Sequence, residues 1–236
     1  MDCFNQQRKA RPAYRTSFGG RVDPGGKPVV TITIMAVCAV AYILQLLVPE
    51  FTRTFFYAPV LTDSQPWRML TAAFLHSQGS PLHIAFNLYA LWFLGSSLEP
   101  LFGRTRFALL YLISALGGSV GVLYLADPVT AVVGASGAVF GLFGALFVVI
   151  RQRRGELRSL LILVAANLVL GFVVPGIAWQ AHVGGLLAGA ACAAILAYTP
   201  KGKHRAAIQF AGLAGIALLL IAAAVLWQAP VRIIPG

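Results

Sequence analysis

Four side chains in this 236-residue sequence have the types and spacing for acyl-transfer chemistry: Ser136, His182, His83 and Asn87. Ser136 stands alone among glycines and alanines in the stretch Ala131-Val-Val-Gly-Ala-Ser-Gly-Ala-Val-Phe-Gly141. A serine hydroxyl is a weak nucleophile until a neighbouring base takes its proton, and imidazole, which titrates near neutral pH, is the usual base. His182 would take that proton and return it to a leaving amine. His83 and Asn87 are spaced i, i+4, so on a helix they project from one face and could stabilise a developing oxyanion together with the Ser136 amide. Each has an ordinary reading as well. Serine in a helix commonly bonds back to a carbonyl one turn earlier, and asparagine can hold helices together. The argument for chemistry rests on where the four residues lie relative to one another.

That position is set by helices in a membrane. The chain is 58% hydrophobic and only 11% charged, whereas soluble domains carry about 25% charged residues. Seven stretches lack Asp, Glu, Lys and Arg: roughly 29–48, 82–98, 107–126, 132–150, 159–174, 177–198 and 206–227. About 20 apolar residues carry a helix across the hydrocarbon core, and 159–174 is slightly short of that. The fold class expected is an all-α polytopic membrane bundle. No carboxylate falls inside a stretch, so Ser136 and His182 would have to work as a dyad without a third member.

The net charge of +11 is explained by topology rather than by nucleic acid. Fifteen of the 18 basic residues fall in the N-terminal segment and in every second connection, and only Arg53, Arg68 and Arg232 fall in the alternate set. This is the positive-inside pattern for a cytoplasmic N-terminus and an outside C-terminus. Stretches two, four and six then start at the outer face. Asn87, Ser136 and His182 are their sixth, fifth and sixth residues, which at 1.5 Å rise places all three about 6–8 Å below the outer boundary. Gly137, Gly141 and Gly144 form one stripe of small residues, and Gly185 and Gly189 follow His182 on its own helix face. Small stripes let helix backbones approach closely enough for a serine–histidine hydrogen bond. Cys3, Cys38 and Cys192 are scattered and suggest neither a disulfide framework nor a metal site.

Residues 1–28 are basic, Gly- and Pro-containing and without periodicity, which predicts a disordered cytoplasmic tail. Residues 49–81 make a long outer connection rich in aromatic and aliphatic residues, expected to form amphipathic pieces at the membrane interface. Phe172-Val-Val-Pro-Gly-Ile-Ala178 is a candidate cap over the site, and 199–236 should hold a linker and the seventh helix.

These residues resemble the rhomboid family of intramembrane serine proteases. Gly134-Ala-Ser-Gly137 is similar to its G-x-S-G nucleophile motif, and Ala181-His-Val-Gly-Gly185 to its A-H-x-G-G motif. His76 followed by His83 and Asn87 resembles its second-span signature. Trp67-Arg68 is similar to a Trp-Arg pair in its first outer loop, and Glu99 with Gly103 to its E-x-x-x-G. The resemblance runs over about 30–198. It implies a six-helix core plus a seventh helix, with Ser136 as nucleophile, His182 as base, and His83, Asn87 and the Ser136 amide as oxyanion hole. It further implies no cofactor or metal, and, as partners, membrane lipids and substrates that are single-span or polytopic membrane proteins, cut near the outer face. A bacterial inner membrane is the setting expected. Phe140 stands where members often carry a tyrosine stacked on the histidine; phenylalanine keeps the stacking surface and loses the hydroxyl. Two other classes compete. A non-catalytic relative that binds membrane clients would ordinarily lack one of Ser136 and His182. A transporter or channel would be expected to carry intramembrane acids or paired broken helices, which are not found.

Overall fold

The computed structural model describes residues 16–20, 26–174 and 176–227. Among them the chain is helical, with one isolated antiparallel bridge between Tyr57 and Val132. The helices are α1 (Val29–Leu47), α2 (Pro49–Phe55), α3 (Arg68–Thr71), α4 (Pro81–Phe102), α5 (Arg104–Leu125), α6 (Ser136–Gln152), α7 (Arg158–Val173), α8 (Trp179–Tyr198) and α9 (Arg205–Leu226). By length and composition α1, α5, α8 and α9 can each cross a membrane, and α6 and α7 are shorter apolar helices. The chain is a helical integral membrane protein. Only helices satisfy every backbone polar group within one segment when no water is at hand.

The centre of the bundle is α5, α6 and α8, which touch backbone to backbone because glycine lines the contacts. A methyl group added at Gly185 would stand 1.9 Å from the Gly137 carbonyl oxygen, and one at Gly189 2.1 Å from that of Gly141. These pairs keep a constant offset along both chains, so α6 and α8 run parallel and in step. The same closeness joins α5 to α8 in the opposite sense, with Gly184 against the Gly117 carbonyl and Gly121 against that of Gln180.

The outer helices are tied on by polar groups. Glu99 of α4 accepts the Val30 and Thr31 N–H groups at 3.0 and 2.8 Å and the Thr31 hydroxyl at 2.7 Å. It thereby satisfies the first turn of α1, whose N–H groups have no carbonyl within the helix, and a carboxylate suits the positive end of a helix dipole. Gly95 opens the space in which Thr31 sits.

Two stretches differ from the sequence expectation. Within the tail expected to be disordered, Thr16–Gly20 is packed against the bundle, while 1–15 and 21–25 lie outside the described residues. Phe18 is fully buried and meets Phe102 edge-on at 5.5 Å. The Gly19 carbonyl accepts from Arg106 at 3.2 Å, and the Phe18 carbonyl from Gln209 of α9 at 3.3 Å. One aromatic in a basic, glycine-containing run has no periodicity to betray this. Residues 132–135, apolar enough to extend a span, are not in α6. Val132 exchanges backbone bonds with Tyr57 at 2.7 and 3.1 Å, and the Gly134 N–H donates to the Ala72 carbonyl at 2.9 Å. The helix therefore begins at Ser136 itself.

The 49–81 connection is folded into the bundle, burying Tyr57, Met69, Ala72, Ala73 and Leu75. Arg68 is its internal brace: it is 7% exposed, donates to the Arg53 and Phe56 carbonyls at 2.7 and 2.9 Å, and lies over the Phe56 ring. Trp67 beside it is 53% exposed.

Candidate active site

Ser136 is the first residue of α6, His182 the fourth of α8, and Asn87 and His83 lie in the first two turns of α4. The glycine contacts between α6 and α8 bring the first two together, with Ser136 Oγ 3.0 Å from His182 Nε2. The His182 ring is held flat against Phe140, centroids 4.0 Å apart and planes within 4°. His182 Nδ1 is buried and, among the described residues, has no hydrogen-bond partner. Stacking and close packing orient this imidazole, in place of a carboxylate.

The other side of the site is built from donors. His83 Nδ1 accepts the Ser77 N–H at 3.0 Å, so a neutral His83 carries its proton on Nε2. Asn87 Nδ2 donates one hydrogen to the His83 carbonyl at 2.8 Å and keeps a second. The N–H of Ser136, at the start of a helix, has no carbonyl one turn back. Between these groups lies a small space that Gly134 leaves open. A Cβ at Gly134 would stand 3.3 Å from His83 Nε2 and 3.5 Å from Ser136 Oγ. Gly134 also has φ +139°, which side-chain-bearing residues rarely adopt. Gly134→Ala is therefore expected to lower turnover by roughly 10²-fold or more, as an intruding methyl and a strained loop displace the reacting atoms. Steady-state rates check this, measured well below the thermal midpoint, since the strain should also cost about 1–3 kcal/mol of stability.

Ser136, His182, His83 and Asn87 all line one cavity of about 840 Å³, within the size range of ligand sites. Leu82 and Phe86 of α4 and Leu170 of α7 supply apolar wall, and Val174, Gly176, Ile177 and Ala178 of the expected cap line it too. Pro175 of that cap lies outside the described residues. Phe172 and Trp179 stack across its base at 4.4 Å. Among the described residues no cluster of His, Cys, Asp or Glu has the arrangement of a metal site.

Sequence reasoning placed Gly137, Gly185 and Gly189 on the α6–α8 contact, where they stand, and passed over the partners on α5. Ser114 fills the space beside Gly141, and Ser119 donates to the Met69 carbonyl at 2.6 Å, fixing the folded-in connection to the core. Gln45 was also missed. It clamps the His76 backbone, donating to its carbonyl at 2.9 Å and accepting its N–H at 2.9 Å. The one carboxamide in a largely apolar span was the available signal.

His76 is fully buried in the connection before α4, with its ring centre 5.4 Å from that of His83. Burial, and then the neighbouring His83, hold it at about 4, below the usual histidine range. The unfolded chain therefore binds the extra proton. The stability that neutral His76 contributes is complete above pH about 6.5 and drains away as pH falls toward about 4, on the order of 3 kcal/mol in all. Thermal midpoints measured between pH 7 and 4.5 are expected to fall with acidity, and His76→Leu to flatten that slope.

Comparison with known proteins agrees with the geometry. The family model described as Rhomboid domain matches residues 63–199. Over 148 residues the chain is 36% identical to rhomboid protease GluP of Bacillus subtilis, covering 61% of this chain and 28% of that protein. It is 35% identical over 150 residues to RHOMBOID-like protein 6, mitochondrial, of Arabidopsis thaliana, covering 60% and 47%. It is 36% identical over 135 residues to putative rhomboid protease YdcA of Bacillus subtilis, covering 55% and 66%. The chain thus spans less than half the length of the first two relatives. The matched region holds the glycine contacts and Ser136, His182, His83 and Asn87, and on that match the chain belongs to the rhomboid family.

Proposed function

We propose that the protein is an intramembrane serine endopeptidase that cuts membrane-protein substrates near the outer membrane face. The observation that carries this reading is the 3.0 Å approach of Ser136 Oγ to His182 Nε2 in a cavity that also holds His83 and Asn87. In the reaction, Ser136 Oγ attacks a substrate carbonyl while His182 Nε2 takes its proton. The carbonyl oxygen becomes an oxyanion held by the Ser136 N–H, His83 Nε2–H and Asn87 Nδ2–H. Collapse of that intermediate breaks the C–N bond, His182 returns the proton to the leaving amine, and an ester joins the acyl part of the substrate to Ser136. Water activated by His182 then hydrolyses the ester and restores the hydroxyl.

A helical peptide bond is shielded, so the substrate must unwind where it is cut. Substrates with Gly or Pro near that point should be preferred, because these residues weaken helices. The charge pattern supports seven spans, a cytoplasmic N-terminus and an outer site, with 29–198 as the catalytic core. A fluorophosphonate probe tests the reading. Wild type should be labelled and both Ser136→Ala and His182→Ala should not; labelling that survives Ser136→Ala removes Ser136 as nucleophile. Mass spectrometry of a cleaved single-span substrate then locates the cut.

A further inference from the structure

α7 is the most loosely held of the helices around the site. Among its described residues only Leu160 and Gly171 are buried, and Leu161, Ile162, Leu163, Val169 and Leu170 are exposed. After Arg158 and Ser159 at its start, Asn167 is the one polar side chain of this helix. A carboxamide there is costly in lipid, and partners or a water-filled cavity normally account for it. Asn167 lines the same cavity as Ser136, His182, His83 and Asn87. Its Nδ2 donates to the Leu163 carbonyl at 2.8 Å, one turn back on its own helix. That bond uses one donor on the helix's own backbone and leaves Oδ1, with its two lone pairs, without a partner among the described residues.

The groups assigned to the oxyanion are all donors and are suited to a carbonyl. A substrate segment unwound for cutting also bares main-chain N–H groups, each costly to leave unpaired away from water. We infer that Asn167 is a substrate-positioning residue whose Oδ1 accepts a main-chain N–H of the unwound segment, fixing the scissile carbonyl over Ser136. This rests on the protease reading given above.

The test uses the full chain reconstituted in lipid vesicles and a semisynthetic single-span substrate. Backbone amides around the cut site are replaced one at a time by esters, which removes an N–H and keeps the side chain. Wild type is expected to lose roughly tenfold in kcat/KM at one ester position, the size of one well-made hydrogen bond. Asn167→Ala and Asn167→Leu are each expected to lose roughly tenfold on the all-amide substrate and to be indifferent to the ester at that position. Fluorophosphonate labelling of Ser136 should stay within about twofold of wild type in both, since the probe needs no unwound segment. The inference is overturned if wild type shows no ester-sensitive position, if either folded variant cleaves at the wild-type rate, or if the ester and Asn167 losses simply multiply. The last result would mean that Asn167 only packs α7. Wild type that neither labels at Ser136 nor cleaves sinks the protease reading and this inference with it. Labelling at Ser136 with any of the three overturning results sinks this inference alone.

Discussion

Replacing Ser136 by alanine, or His182 by alanine, is expected to lower cleavage of a single-span substrate by roughly 10³–10⁵-fold, and the double variant to lose no more than the worse single. The reason is the shared proton. Without the hydroxyl the imidazole has nothing to activate, and without the imidazole the hydroxyl stays protonated and inert. What survives either change is binding and oxyanion stabilisation, which still favour attack by water. The loss should lie in kcat with KM little changed, because neither group grips the substrate outside the reacting bond. Ser136→Ala should move stability by no more than about 1 kcal/mol, the net worth of the 3.0 Å bond, whereas His182→Ala also empties the space against Phe140 and should cost about 2 kcal/mol or more. The two singles and the double, assayed for rate and thermal midpoint, give the answer. Losses that multiply would mean that the two residues do not act as a pair.

Gly185→Ala should be nearly as damaging, though the residue touches no reacting atom. Its added methyl would lie 1.9 Å from the Gly137 carbonyl oxygen, against an ordinary contact of 3.4 Å or more. The obstacle is backbone, which cannot rotate aside, so α6 and α8 must part by roughly 1.5 Å. Ser136 and His182 ride on those two helices, and a misplacement of about 1 Å can cost about 10²-fold. The expected result is a fall of about 10²-fold or more in kcat/KM, with loss of about 2 kcal/mol of stability from overpacking. Gly215→Ala is the control, for its Cβ would meet nothing within 4 Å. It should leave the rate untouched and slightly favour the helix. If Gly185→Ala cleaves as wild type does, close approach of the helices is not what sets the Ser136–His182 distance.

The helices were legible because lipid makes a simple demand, about 20 apolar residues without charge, and because glycine at spacings of three and four marks where backbones meet. Ser136, His182 and Asn87 were legible as polar residues at matched depth in alternate spans, with His83 one turn before Asn87, and the structure brings the four to one cavity. The start of α6 was not, since apolar Val132 and Val133 satisfy a helix and an extended loop equally; long-range bonds from Tyr57 and Ala72 decide it. The depth argument therefore reached the right neighbourhood through a helix that is shorter than it assumed. The His83 tautomer was hidden for a similar reason, as it depends on the N–H of Ser77, a neighbour whose side chain carries no signal. Phe140 was readable in part: the family resemblance implied a stacking surface there, and the parallel rings supply the orienting role that a carboxylate would otherwise fill.

The pocket around Phe18 has a consequence for how the chain is made. The backbone there is held by Gln209, which donates to the Phe18 carbonyl from 191 residues further on, and by Arg205, which donates to the Ser17 carbonyl from 188 residues beyond Ser17. During synthesis Phe18 emerges long before Gln209, so while the intervening residues are made this aromatic has no finished home. Insertion of α9 is the event that closes the seat. The earliest described segment and α9 thus complete each other, and this seat stays open until α9 has been made.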